Sequence, residues 1–169
     1  RIHMVVWNPL LARKNIPVVP LRALILEEGA ITCLLDRVQA LDFWITEHSG
    51  NLTAKTANAC LQAVVNLLER LEIEGVHHRR LHEKNLFLPF GASDFESLMV
   101  GNNILISFRE IDFRQRKLDH WKALQELAER LRGECCGEES PLKQKVPLNE
   151  SENDFQWSEI RRQIPSFFS

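Results

Sequence analysis

No run of 18 apolar residues occurs in the 169 residues, so no stretch is long enough to span a bilayer as a helix. No basic-then-apolar leader opens the chain. Glycine is scarce: seven residues in all leave nothing resembling a Gly-rich phosphate loop. Gly-x-Ser-x-Gly is absent, and no cysteine sits in a small-residue loop, so neither common nucleophile arrangement is present. Carboxylates are scattered singly along predicted helix faces. Excess basic charge is also missing. The formal net charge is −2, which opposes a general nucleic-acid role, because phosphate neutralisation needs a surplus of Lys and Arg. No internal repeat or low-complexity tract is found. The expectation is a protein that is not an enzyme and needs no cofactor.

Four cysteines are present, with neither a disulfide framework nor a Cys-x-x-Cys metal knuckle. Cys33 and Cys60 fall in apolar patterns, where a free thiol behaves as a small hydrophobe. Cys135 and Cys136 are adjacent and have no flanking His, and they read as two inert thiols at a helix end. This usage points to a reducing compartment, cytoplasmic or nuclear. His3-Met4 fits a cloning junction at residues 1–4, and the chain reads as part of a longer protein.

What is present is an ordinary globular composition, 44% hydrophobic and 26% charged. A chain of this length buries roughly 70% of its unfolded surface, enough for one core without staples. Residues 1–19 read as an extended N-terminal arm, with Pro9 and Pro17 inside it and Met4–Trp7 as a short strand. Its apolar residues need a surface to pack on.

Apolar steps of three and four from Leu21 to Ile45 predict a first long helix over Pro20–His48. The alternative there is a strand over Leu21–Leu26 followed by a shorter helix. A second helix starts near Asn51 or Thr53, with Ala57, Cys60, Leu61, Val64, Leu67, Leu68 and Leu71 on its core line. Ser93-Asp94-Phe95-Glu96 matches a capping box and predicts a third helix from Ser93 to Gly133. Trp44, Phe43 and Trp121 are assigned to the core. The expected fold is mainly α: an antiparallel bundle of three long helices over residues 20–133, with the arm before it. A linker over 134–153 and a short amphipathic tail helix over 154–169 follow.

Trp157, Ile160 and Ile164 share one side of that tail, and Phe167 and Phe168 follow, so the segment needs an apolar groove, in this chain or in another. These five are the candidate partner-binding residues. The expected function is a protein–protein interaction or scaffold module of a larger intracellular protein, binding an apolar peptide or helix between its helices. The partner is another protein or a second copy, with no membrane role. The alternative is nucleic-acid binding by a basic patch of Arg79, Arg80, Lys84, Arg114, Arg116 and Lys117. His78 and His82 would share a helix face at metal-ligand spacing, but Arg79, Arg80 and Lys84 oppose a dication, and no metal site is assigned.

Overall fold

The computed structural model describes residues 11–28, 30–78, 81–101, 106–107, 113–136 and 156–168. The expected Met4–Trp7 strand, Arg79 and Arg80, and nearly all of the expected linker lie outside these residues.

The three-helix bundle is overturned. Helix accounts for 57% of the described residues, but the only long helices among them are α2 (Ala54–Ile73) and α3 (Phe113–Cys136). Two short helices, α1 (Leu41–His48) and α4 (Trp157–Gln163), join them, with small antiparallel sheets between.

The expected first helix is mostly a hairpin. Strands β1 (Leu21–Glu27) and β2 (Ala30–Leu35) pair antiparallel, with Glu27 opposite Ala30, leaving two residues for the turn. The alternative reading, a strand over Leu21–Leu26 and then a shorter helix, fits the structure. The 3–4 spacing arises by coincidence, because the apolar residues run without a break over positions 23–26 and so fit a strand as well as a helix. Strand β3 (Val38–Ala40) then leads into α1, where Trp44 is buried and Phe43 is 57% exposed, against its assignment to the core.

The second helix forms where expected. The Thr53 hydroxyl accepts the Thr56 amide N–H at 3.2 Å and caps α2. Every residue of its expected core line is buried, together with Val65. Its far end closes as a Schellman turn. Gly75 has φ +66°, its N–H reaches the Glu72 carbonyl at 3.0 Å, and the Val76 N–H reaches Leu71 at 2.8 Å. Beyond it come β4 (His77–His78), β5 (Leu86–Pro89), β6 (Met99–Val100) and β7 (Ile106–Ser107). One sheet runs β3-β5-β6, and β4 pairs with β7.

The expected start of the third helix fails at its cap. Asp94 Oδ1 accepts the Glu96 N–H at 3.0 Å, and this local turn replaces the capping box, so residues 93–98 are turns and bends. The described helix runs from Phe113, passes Gly133 and ends at Cys136.

Both ends of the described chain close onto one core. Val18 bridges Val100 in parallel, while Leu11, Ile16, Val18 and Val19 are buried. Trp157, Ile160 and Ile164 join the same core as Leu61, Leu68, Trp121 and Leu131. No helix among the described residues is long and apolar enough to cross a membrane.

Candidate functional site

Along α2 the buried face is only half of the helix. The side that turns from it carries Lys55, Thr56, Ala59, Gln62, Ala63, Asn66 and Arg70. Opposite stands the 93–98 turn, held to the body by Phe95, whose ring meets Trp44 edge-on at 4.9 Å. Trp44 in turn stacks on His48 at 4.2 Å. Between helix and turn lies an open groove of about 640 Å³, with Pro17 also on its wall. Its floor is apolar: Ala59, Ala63, Leu67, Phe95 and Leu98. Its rim is mixed, with Lys55 and Arg70 on the helix and Asp94 and Glu96 on the turn. Two small alanines spaced one helical turn apart leave room for the side chains of a ligand.

The tail braces one wall. Gln62 Nε2 donates to the Arg161 carbonyl at 3.0 Å, and Arg161 Nε donates to Asn66 Oδ1 at 3.0 Å. The Arg161 guanidinium also pairs with Glu69, and the Trp157 indole N–H donates to Glu72. Gln62 and Asn66 therefore face both the tail and the groove.

Of the expected partner-binding residues, Trp157, Ile160 and Ile164 are buried against this chain's own helices. Phe167 and Phe168 lie in the 3-10 turn Ile164–Phe168 that follows. The residues of the expected basic patch fall on three segments, only part of which is described. Lys84 is exposed in the turn Glu83–Asn85, Arg114, Arg116 and Lys117 occupy the first turns of α3, and Arg79 and Arg80 lie outside the described residues.

His78 sits on β4 and His82 begins a 3-10 turn, so no helix face aligns the two. The His82 ring is engaged locally: Nδ1 accepts the Lys84 N–H at 3.1 Å, and Nε2 lies 3.1 Å from the Asn85 side-chain amide. Arg130 anchors the same turn. It bonds Glu83 at 2.9 Å and reaches Asp42 and Thr46 on α1. Burial pulls this guanidinium down, but the two carboxylates outweigh it and hold its pKa above the ordinary value.

A further pattern stands in the sequence of this segment. His78-Arg79-Arg80-Leu81-His82-Glu83-Lys84-Asn85 keeps four of the five fixed positions of the protein-kinase catalytic-loop pattern His-Arg-Asp-Leu-x-x-x-Asn. The departure is at the Asp, the residue that accepts the substrate hydroxyl's proton; Arg80 stands there. The match is eight residues long and assigns no family. No protein-family model matches the chain, and no curated protein does.

Proposed function

We propose that this chain is a non-enzymatic protein–protein interaction or scaffold module of a larger intracellular protein, cytoplasmic or nuclear. Its ligand is an apolar helix or extended peptide seated in the groove beside α2. The observation that carries this reading is the groove itself, an apolar floor with a mixed polar rim, the form of a helix-in-groove receptor. Because Trp157, Ile160 and Ile164 are occupied within the chain, the groove carries the partner and the tail braces its wall.

Two further observations support a role without catalysis. A guanidinium stays protonated throughout the physiological range, so Arg80 cannot take a proton where the kinase pattern needs a base. Cys60 is buried, and desolvation pushes its pKa up to about 12, which keeps this thiol from acting as a nucleophile.

The test is selection from a random peptide display library, repeated on an Ala63→Arg variant that fills the floor. The reading expects enriched peptides with apolar residues at helical or alternating spacing, and loss of their binding in the variant. Selection of nothing, or binding that ignores Ala63→Arg, would overturn it. Oligonucleotide binding that persists at physiological salt would favour the basic-patch alternative, since phosphate contacts weaken steeply with salt.

A further inference from the structure

The β1–β2 hairpin is built unlike the rest of the molecule. It forms its own two-stranded sheet, and both outer edges are without a ladder among the described residues. From Arg22 to Glu28 every residue of the first strand and its turn is exposed. Among them are Leu24, Ile25 and Leu26, the last 75% exposed, and Leu34 and Leu35 stand exposed on the second strand. A strand alternates its side chains between two faces, so Leu24 and Leu26 lie on one face and Ile25 on the other. The hairpin is therefore apolar on both faces. An isolated two-stranded hairpin is marginal in water and needs further strands or a covering element. Exposed edges are normally blunted with Lys, Pro or bulges. The stretch Ala23-Leu24-Ile25-Leu26 carries none of these, and the register shift of β1 falls before it, between Leu21 and Ala23.

Charge along the hairpin is polarised. The tip carries two acids, Glu27 and Glu28. The base carries two arginines, Arg22 and Arg37, against one acid, Asp36. Arg22 is tied to Asp36, and the Arg37 guanidinium lies 3.7 Å over the Phe90 ring. Setting two such hairpins side by side in parallel would place acid against acid at the tips, which is destabilising. Setting them antiparallel places each basic base beside the other's acidic tip.

We propose that the β1 edge docks a second copy of this chain, antiparallel across a two-fold axis at Leu24, to give a continuous four-stranded sheet. Leu24 then faces its own counterpart. Ala23 faces Ile25 of the other copy, and Arg22 faces Leu26 next to the acidic tip. The contact is isologous and closes at two chains. It goes beyond the groove reading and does not depend on it.

Analytical ultracentrifugation of the whole chain through the micromolar range tests this. The expected result is a species of twice the 19.6 kDa chain mass. Leu24→Lys places two ammonium groups against each other at the axis and should return the chain to a monomer that still unfolds cooperatively. Should that variant fail to fold, the double variant Glu27→Lys with Glu28→Lys serves instead, since it removes the end-to-end charge match. Ala63→Arg should leave the dimer intact, which separates this contact from the groove. A chain monomeric at every concentration overturns the proposal. So does a dimer indifferent to Leu24→Lys, or association that grows without limit.

Discussion

The Thr53 hydroxyl holds the first turn of α2 by accepting the Thr56 N–H. Thr53→Ala should therefore cost about 1 kcal/mol in urea unfolding, the usual loss for an N-cap. Ser93 has the same side-chain chemistry and no such duty, because Asp94 takes the local amide. Ser93→Ala should change stability by less than about 0.5 kcal/mol, as surface substitutions away from special features do. As a motif Ser93 is the stronger of the two, since Glu96 completes a capping box and Thr56 does not. What separates them is the competing Asx turn at Asp94, which a short pattern does not weigh. Gly101 makes a sharper case. Its N–H reaches the Asn85 carbonyl at 2.8 Å, and a Cβ there would stand 2.5 Å from the Phe87 ring. Gly101→Ala should lower the melting temperature as the ring is pushed aside, and a variant that melts with the unaltered chain would show that Phe87 yields freely. Cys60 should resist alkylation at mild alkaline pH in the folded protein and react once the chain is unfolded, which mass spectrometry reads directly. Ready labelling of the native protein would contradict its burial.

Among the elements, α2 was legible because two signals agreed: a cap and an apolar line of 3.6 periodicity. The hairpin was not, because its apolar positions satisfy helical steps while its two-residue turn favours strands. Only tertiary structure arbitrates between the two. The tail was legible as an amphipathic segment, but its address was not, since periodicity shows that a face must be covered and leaves open what covers it. The structure places it on α2, through Trp157 and Glu72 and through Arg161 with Glu69 and Asn66. Trp157→Ala should cost about 3–5 kcal/mol, in the range of buried aromatic truncations. Truncation after Pro147 should destabilise the chain at least as much, measured by thermal melting. Unchanged melting after truncation would mean that the tail contributes nothing to the core. On α3, Leu124→Ala should cost about 2–5 kcal/mol for the same reason, since Leu124 is buried in the same core.

At the scale of the whole molecule, α2 organises the rest. Its core face receives α3 and the tail, Lys14 near the start of the described chain pairs with Glu74 at 3.2 Å beyond its C-terminal end, and its remaining side forms the groove. That groove is not readable in the sequence, because its second wall is a turn that starts 20 residues beyond α2, where the sequence reads as a helix start. The measurement that addresses it most directly is a titration of isotope-labelled protein with a display-selected apolar peptide, followed by amide chemical shifts. The groove reading predicts saturable shifts clustered at Ala59, Ala63, Leu67, Phe95 and Leu98, absent in Ala63→Arg. Shifts confined to residues 79–84 and 114–117, or no saturable shifts at all, would contradict it.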